Sequence, residues 1–490
     1  MERFMAIDKL PHVNAKQATR SRNDKLSIGI LEENTREVKI GGVSRLQTPL
    51  LWKPTHKRPC SLPKAVLALA RSNQKKIEHN PEVAEYCRTY IQKLQDQGHV
   101  RVLGPVDDLS VDQQHGWYLP CHVVHSSGKY RLVFNCSFEY GGQNLNQELL
   151  AGPTLSPSLL DVLLRFRQGR VAVSGDITAM FHQVRLPLRE RRMFRFLWKD
   201  EQLGKWVVIE WLVLPFGAAC SPCCATFALQ KAAKDRAGRY PQVPEAIENE
   251  TYVDNQLSSR DTEKQATELV LSTRQCLQEA GFQMVKWASS HPATLQSLPE
   301  EARSTRQVQS LALGLQEGDP EPALGLCWDW KSDELYHPAK VPDNIVLTKR
   351  KALRVLASQF EPLGDIAPFT ARAKLLVRDL WMQKLDWDER VTEPDLTQRW
   401  EEWCAELEHI PQVRLPRCYT PAQVDTAVVD RSLHVFCDAS EKLYGAVAYL
   451  RSVDSQGGVH LSFVLSKCRV APKRLVSMPR LELMAALLGA

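Results

Sequence analysis

The chain has 490 residues, of which 43% are hydrophobic and 24% charged; this balance is typical of a folded protein of more than one domain and excludes a disordered chain. Its formal net charge of +6 is mild, so it permits a polyanionic partner such as a nucleic acid without requiring one. Thirteen scattered cysteines without metal-ligand spacing predict reduced thiols packed as small hydrophobes. The start "MERFM" lacks the apolar segment of a signal peptide. The most apolar stretch, residues 206–225, is interrupted by Glu210, Pro215 and Pro222 and so does not predict a membrane span. We therefore expect an intracellular protein without a membrane partner.

The first third of the chain changes character near residue 60. Residues 1–55 are polar and weakly periodic, which predicts a tether rather than a domain. Apolar residues then recur at helical spacing up to Gly98, which predicts two helices. Residues 117–137 alternate around Ser126-Ser127-Gly128, and this pattern predicts a hairpin with a basic edge.

Two carboxylates then follow short apolar strands. "RVAVSGDITAMFHQVRL" (170–186) predicts a strand that ends at Asp176 and runs into a helix, and "ETYVDNQLSS" (250–259) predicts a hairpin with its turn at Asp254-Asn255. Taken alone, the second pattern is also compatible with a plain surface turn. A carboxylate at the end of a buried strand is costly unless it is paired or binds a metal ion. If Asp176 and Asp254 converge, their oxygens would suit Mg²⁺ and phosphoryl transfer to a nucleic acid 3′ end.

The second half of the chain is first helical and then stranded. A long helix is predicted over Thr262–Ala280, and a strand after Gly281. Residues 300–430 are more helical and rich in tryptophan, and the stripe formed by Trp400, Trp403 and Leu407 is more typical of a core than of a base-stacking surface. From "HVFCDASEKLYGAVAYLR" onward, alternating strands predict a new domain that begins near residue 430.

Several strings in order resemble one family. "DITAMFHQV", "LPFGAACSPCCATF" and "YVDN" resemble the palm motifs of reverse transcriptases. "KYRLVFNCS", "LNQELLAGPTL", "PLGDIAPFTARAKLLVRDLW" and "RVAPKRLVSMPRLELMAA" narrow the resemblance to the Pao/BEL class of long-terminal-repeat retrotransposons, over roughly residues 45–490.

The resemblance implies an α+β fold. This would be a right-hand polymerase of fingers, palm and thumb, followed by a connection region and a truncated ribonuclease H-like α/β domain. We therefore expect a polar tether over 1–55, fingers and palm over 56–300, a mainly helical, Trp-rich thumb and connection over 301–430, and the N-terminal part of the ribonuclease H-like domain over 431–490.

The resemblance also assigns the metal site. Asp176 matches the first metal-binding aspartate, and Asp254 matches the aspartate of the family's YxDD hairpin; the implied cofactor is Mg²⁺, with Mn²⁺ as an alternative. Asn255 stands where the family has a second aspartate, and Asn135 stands where it usually has one. Asparagine can still supply one oxygen ligand, but it removes a negative charge that attracts the metal ion.

Five further residues match positions that bind the incoming nucleotide. Lys129 and Arg131 match residues of the fingers that hold the triphosphate. Phe181 matches the ring that selects deoxynucleotides by excluding a 2′-hydroxyl group, and Phe216 and Gly217 match the loop that the template and the incoming base approach. Without the resemblance, Lys129 and Arg131 would be interpreted as cations on a solvated hairpin edge. Phe181 would be interpreted as a core residue.

Two other assignments follow from the resemblance. "FQMVKWA" and "ALGLCWD" would form the hairpin that grips the primer, unless Trp287 and Trp328 are simply core residues. Asp438 and Glu482 match two of the four metal-binding carboxylates of a ribonuclease H site. Since the other two lie beyond Ala490 in the family, we expect no ribonuclease H activity, an exposed sheet edge and poor independent stability for residues 431–490.

Two functions remain open at this stage. The first is an RNA-directed DNA polymerase that extends a primer on an RNA or DNA template with deoxynucleoside triphosphates, either in a cytoplasmic retroelement particle or in the nucleus. The alternative is a catalytically inactive, decayed or co-opted protein that still binds nucleic acid through its phosphates. Asn255 and Asn135 are the residues that keep the alternative open.

Overall fold

The computed structural model describes residues 20–126, 129–305, 308–310, 326–342, 346–420, 427–472 and 476–490. Within these ranges, helices that combine the length and the apolar character needed to cross a bilayer are absent. All thirteen cysteines are free and most are buried, as their scattered spacing predicts.

The N-terminal segment is folded. It contains helix α1 (Arg22–Asn34) and the hairpin of strands β1 (Arg36–Ile40) and β2 (Val43–Gln47). Ser21 starts α1 with a capping box, since its hydroxyl oxygen accepts from Asp24 N at 3.1 Å and the Asp24 carboxylate accepts from Ser21 N at 3.2 Å. Leu31 and Leu46 are fully buried in the largest core. The tether prediction is therefore wrong for residues 20–55, because a few well-spaced leucines anchor an otherwise polar segment; residues 1–19 lie outside the described ranges.

The next region contains the predicted fingers. Its elements are α2 (Lys64–Glu78), α3 (Pro81–Asp96), β3 (Val100–Pro105), α4 (Val111–Gln114), β4 (Cys121–Ser126), β5 (Lys129–Phe134), β6 (Glu139–Tyr140), β7 (Gln143–Asn144), α5 (Leu145–Glu148) and α6 (Leu159–Phe166). Strands β4 and β5 form the predicted antiparallel hairpin. Asn80 caps α3, and Pro81 occupies its first turn, where a missing N–H costs nothing.

The palm follows as a compact α/β unit. Its elements are β8 (Val171–Ile177), α7 (Leu188–Arg191), β9 (Arg195–Lys199), β10 (Trp206–Trp211), α8 (Ser221–Lys234), α9 (Val243–Asn249), β11 (Thr251–Tyr252), β12 (Asn255–Arg260), α10 (Glu263–Glu279) and β13 (Met284–Ser289). An antiparallel sheet has the order β11-β12-β8-β13, so β8 lies inside it, and a second sheet has the order β3-β10-β9. Helices α8 and α10 bury their apolar faces in the same core as β8. After β8 the chain forms a short 3₁₀ helix, Met180–Gln183, where the sequence predicts a helix.

The third region combines a small sheet with a helical core. Its elements are β14 (Val308–Ser310), β15 (Cys327–Asp329), β16 (Glu334–Tyr336), α11 (Lys349–Ser358), α12 (Ala367–Met382), α13 (Pro394–Glu406) and β17 (Arg414–Pro416). The four strands pair in chain order. Trp400, Trp403 and Leu407 are buried in the core of the three helices, which confirms the core interpretation of that stripe.

The last region is a three-stranded antiparallel sheet with one helix. Strands β18 (Val428–Ala439), β19 (Leu443–Asp454) and β20 (Val459–Val470) pair in chain order, and helix α14 (Met478–Gly489) packs on β18 and β19 through Leu481 and Ala485. Among the residues that the structure describes, β18 is an outer strand and is largely exposed, as the sequence predicts for an uncovered edge. On the opposite edge β20 contacts α12, and Ser466 N donates to Leu363 O at 2.9 Å.

The structure contradicts the predicted primer-gripping hairpin. Strand β13, which contains "MVKWAS", pairs with β8 inside the palm sheet, whereas β15, which contains "CWD", belongs to the separate small sheet. Trp287 and Trp328 are both fully buried. These two tryptophans are therefore core residues, because Trp287 lies on a buried face of the palm sheet and Trp328 on a buried face of the small sheet.

Candidate active site

Strands β8 and β12 bring two carboxylates to one end of the palm sheet. Asp176 lies directly opposite Asn255 in the antiparallel register. Ile177 N donates to Asp254 O at 2.8 Å, so the residue before β12 also lies against the end of β8. Asp176 is the one residue of β8 that is not buried. The sheet register therefore places the side chains of Asp176 and Asp254 as neighbours at a partly open edge.

The two carboxylates repel each other. Burial and, second to it, the charge of Asp176 raise the pKa of Asp254 to about 6, against an opposing contribution from Lys286. Two carboxylates held this close concentrate negative charge, which a bound cation would neutralise. Carboxylate oxygens are the ligands that Mg²⁺ prefers, so the residues present fit a divalent cation.

Lys286 is a member of the site that the sequence reasoning did not identify. Its Nζ lies 3.7 Å from Asp176 Oδ1. The register on β13 changes from Val285 opposite Asp176 to Ala288 opposite Ser174, so the strand bulges by one residue at this point. Lys286 adopts a left-handed φ of 56° in this bulge. The one signal in the sequence was a charged residue inside the apolar string "FQMVKWA".

The hairpin between β11 and β12 turns one residue earlier than predicted. Tyr252 pairs with Asn255, so the turn consists of Val253 and Asp254 rather than Asp254-Asn255. Val253 has a φ of 56°, which is strained for a β-branched residue. Strained backbone of this kind persists where the surrounding structure holds it, and it concentrates at functional sites. The early turn leaves Asp254 at the tip, beside Asp176.

The two asparagines have local partners. Asn255 Nδ2 donates to Asp254 Oδ1 at 3.2 Å, so an amide hydrogen occupies part of the surface of the carboxylate. Asn135 Oδ1 accepts from Ser137 N at 3.0 Å within the turn that follows β5. An aspartate could accept the second hydrogen bond equally well, but it could not donate the first.

The predicted nucleotide-binding rings lie together. The ring centroids of Phe181 and Phe216 are 4.7 Å apart, and 45% of Phe216 is exposed. Gly217 adopts a φ of +98°, and a Cβ atom there would lie 3.1 Å from Phe134 O at the end of β5. The loop after β10 therefore packs against both the 3₁₀ helix that follows β8 and the end of the β4-β5 hairpin.

The two cations of the fingers lie on β5. Arg131 pairs with Val124 across the hairpin, and the side chain of Arg131 is partly exposed. Burial raises the pKa of Tyr86 in α3, and the positive charge of Arg131 opposes this rise. Lys129 begins β5 opposite Ser126, but its side chain lies outside the described part of the structure. The described contacts thus place Arg131 in the fingers and do not bring it to Asp176 or Asp254.

A pair of buried histidines lies beneath the rings and was also missed. The ring of His182 is 5.0 Å from that of Phe216 and 5.1 Å from that of His99. Burial lowers the pKa of His182 to about 3 and that of His99 to about 4, in the latter case with help from Arg45 and Arg185. Both imidazoles are therefore neutral at physiological pH. "FHQ" after a strand carries no signal of burial that sequence reasoning could have used.

The predicted ribonuclease H carboxylates lie on adjacent elements. Asp438 lies near the end of β18, opposite Gly445, and Glu482 is exposed on α14, which packs on the same sheet. Over the described residues of the whole chain, groups of three or more histidine, cysteine, aspartate or glutamate side chains that could hold a metal ion are absent. The assignment of these two residues to a metal site therefore stays a prediction.

The fold and the site together define the class of the protein, which is a right-hand polymerase followed by a ribonuclease H-like domain. The elements that define it are a palm-type sheet with a carboxylate pair, a fingers hairpin, a helical region and a terminal three-stranded sheet. Family comparison agrees. The model described as "Reverse transcriptase (RNA-dependent DNA polymerase)" matches residues 126–287, and the one described as "Pao retrotransposon-like RNaseH-like domain" matches residues 348–490. The chain thus carries a reverse transcriptase domain and a Pao retrotransposon-like domain, the combination that the motifs imply. The second match starts just before α11 and so includes the helices predicted as thumb and connection.

A solved structure agrees with the fold. The foamy viral protease-reverse transcriptase in complex with RNA/DNA hybrid is 14% identical with a TM-score of 0.50, over 83% of this chain and 46% of that chain. A foamy viral protease-reverse transcriptase in complex with double-stranded DNA is 15% identical with a TM-score of 0.49, over 80% of this chain and 57% of that one. This chain therefore spans about half the length of these structures. None of the curated proteins matches it.

Proposed function

We propose that the chain is an RNA-directed DNA polymerase that extends a primer with deoxynucleotides on an RNA or DNA template, inside the cell. The observation that supports this most is the convergence of Asp176 and Asp254 at one end of the palm sheet, two residues that are 78 positions apart in the chain. Asp176 lies in β8, whose other side chains are buried, and Asp254 lies in the turn that leads into β12, the neighbour of β8, so the sheet holds both carboxylates in place. Rigid convergent oxygen ligands are what a two-metal phosphoryl transfer requires.

Asp176 and Asp254 would hold Mg²⁺, or Mn²⁺, through their carboxylate oxygens. A bound divalent cation would stabilise the charge that develops on the oxygens of the transferred phosphoryl group. In the protein itself, the ammonium group of Lys286, 3.7 Å from Asp176, offsets part of the carboxylate charge, and the amide of Asn255 donates to Asp254. These two groups lower the negative potential that attracts the metal ion.

The nucleotide would lie against the rings of Phe181 and Phe216. Phe181 is partly buried and packs on the core, so its ring can exclude a 2′-hydroxyl group by its bulk. Gly217 lets the loop backbone approach the base pair closely. We assign the triphosphate to Lys129 and Arg131 on β5, because guanidinium and ammonium groups bind phosphate oxygens.

Primer extension tests the proposal. The full chain should extend a DNA primer on an RNA template in the presence of Mg²⁺ or Mn²⁺, and Asp176→Asn and Asp254→Asn should each abolish extension. Asp235→Asn is the matched control, since Asp235 forms only a surface ion pair with Lys231 on α8 and should change nothing. Extension that survives Asp176→Asn would contradict the assignment of the site.

Asn255→Asp is the companion variant. Adding the carboxylate should increase extension, because it restores negative charge and removes the amide that donates to Asp254. An unchanged rate would show that the site tolerates the amide.

A second candidate function is nucleic-acid binding without catalysis. The presence of Asn255 and the position of Lys286 favour it, because both weaken the attraction of the site for metal ions. This alternative predicts salt-sensitive binding of primer-template and no extension, even in Asn255→Asp. Neither candidate includes ribonuclease H activity; cleavage of the RNA strand of a hybrid by the chain would contradict this.

A further inference from the structure

One side chain from outside the Phe216-Gly217 loop holds the backbone of that loop. Asn146, in α5, donates its Nδ2 to Gly217 O at 3.0 Å, and its Oδ1 accepts from Ala219 N at 2.9 Å. The same Nδ2 donates to Ser137 Oγ at 3.1 Å. A carboxamide has a donor and an acceptor side by side, so it can pair with a carbonyl and an N–H group of one loop at once. Asn146 thus fixes this loop on both sides of residue 218.

Asn146 is itself held in place. The side chain of Asn144, which is buried, caps α5, and its Oδ1 accepts from Asn146 N at 2.9 Å. Nδ2 of Asn144 donates to Ser137 O at 2.8 Å. These bonds tie Asn146 to the turn that follows β5, and β5 is the strand that carries Arg131. One amide therefore connects the loop that carries Phe216 to the end of the fingers hairpin.

The side chains of Phe216 and Gly217 anchor the loop only weakly. Gly217 has no side chain, and its φ of +98° is one that other residues adopt only with strain. Phe216 is half exposed, and its ring contacts Phe181 and His182. The ring position therefore depends on where the backbone of residues 216–219 lies. The two hydrogen bonds from Asn146 hold this backbone, together with Cys136 Sγ, which donates to Phe216 O at 3.8 Å.

We propose that Asn146 is a positioning residue for the incoming deoxynucleotide, acting through the backbone of residues 216–219. The inference rests on the proposed polymerase function and adds a residue that touches neither the carboxylates nor the rings. Loosening the loop should displace Phe216 from Phe181 and so weaken nucleotide binding. It should leave primer-template binding and the stability of the palm core unchanged, because the side chain of Asn146 is partly exposed and outside that core.

Asn146→Asp separates the two hydrogen bonds. The carboxylate can still accept from Ala219 N, but it faces Gly217 O, a second acceptor, at the position of the former donor. Asn146→Ala removes both bonds without adding charge and serves as the second variant. Gln147→Glu is the matched control, because it makes the same amide-to-carboxylate change at the next residue of α5, which is exposed.

The test measures single-nucleotide incorporation, primer-template affinity, thermal stability and backbone hydrogen exchange on the full chain. Asn146→Asp should raise KM for the deoxynucleotide about tenfold, the size expected for one lost and one repelled hydrogen bond, and Asn146→Ala somewhat less. Hydrogen exchange at Ala219 N should accelerate in Asn146→Ala, which removes the acceptor of that N–H group. Gln147→Glu should match the wild type in all four measurements.

The outcomes are distinguishable. An unchanged KM in Asn146→Asp, or unchanged exchange at Ala219 N in Asn146→Ala, overturns the inference and leaves the polymerase proposal intact. The inference is also overturned if thermal stability and primer-template affinity fall together with nucleotide binding, because an amide with a merely structural role would affect all three. Absence of any extension by the wild-type chain overturns the proposed function, and the inference with it.

Discussion

Arg417 lies fully buried at the junction of the palm with the small sheet, and its guanidinium group forms five hydrogen bonds. It donates to both carboxylate oxygens of Asp333, at 2.7 and 2.8 Å. It also donates to Phe166 O, Gly169 O and Arg170 O, at 2.6, 2.8 and 2.8 Å, just past the end of α6. Every N–H group of the side chain therefore has a protein acceptor, and no other side chain offers five donors in this geometry.

Arg417→Met should destabilise the protein by about 3–5 kcal/mol, the cost of removing one partner of a buried ion pair. The substitution leaves the Asp333 carboxylate without its cation and three carbonyl oxygens without their donor. Asp333 also accepts from Trp328 Nε1 at 2.9 Å, so it cannot simply turn towards solvent without losing a second bond. Replacing Asp333 with asparagine in the same chain should recover part of the loss, because it removes the charge that was left unpaired.

Urea-induced unfolding measures the effect, with hydrogen exchange of α6 and β17 to locate it. Arg350→Met is the control: Arg350 forms an equally well-aligned pair with Asp388, at 2.6 and 2.9 Å, but the two side chains are 61% and 70% exposed. Solvent screens such a surface pair, so it contributes little to stability. A loss in Arg417→Met that is no larger than that in Arg350→Met would refute the reasoning from burial and hydrogen-bond count.

Three further predictions concern the palm. The first uses an Asp254→Asn background, because the raised pKa of Asp254 would change stability with pH in the opposite direction. In that background the free energy of unfolding should fall as the pH drops below about 6.5, because buried His182 cannot take up the proton that it binds in the unfolded chain. The loss from His182 should reach about 2–3 kcal/mol near pH 4.5, and urea unfolding that is independent of pH would contradict this. Gly217→Ala should cost about 1–3 kcal/mol and impair nucleotide binding, whereas Gly238→Ala, which has open space and no positive φ, should cost little; equal thermal stabilities would contradict this. Lys286→Met should raise the pKa of Asp254 above about 6 and increase the affinity for Mn²⁺ measured by electron paramagnetic resonance, since the ammonium group competes with the metal ion; weaker Mn²⁺ binding would contradict it.

Local patterns in the sequence predicted the two carboxylates at the ends of strands, whereas Phe181 and Phe216 were assigned from the resemblance to reverse transcriptases. Asp176 ends an apolar strand and Asp254 lies in a short hairpin, and both features depend on residues a few positions away. Motif order was sufficient for the fold class. The N-terminal helix and hairpin escaped prediction because their burial depends on single leucines that meet a core built from distant parts of the chain.

The sequence alone thus determined which strands would carry acidic side chains, because side-chain alternation and turn chemistry act over a few residues. The tertiary structure decided the register that sets Asp176 opposite Asn255, the bulge that aims Lys286 at the site, and the bonds that Asn146 forms with a loop about seventy residues away. These features depend on how sheets and loops meet in space. A one-residue change of register would turn the same side chains to the other face of the sheet, and the local sequence would look no different.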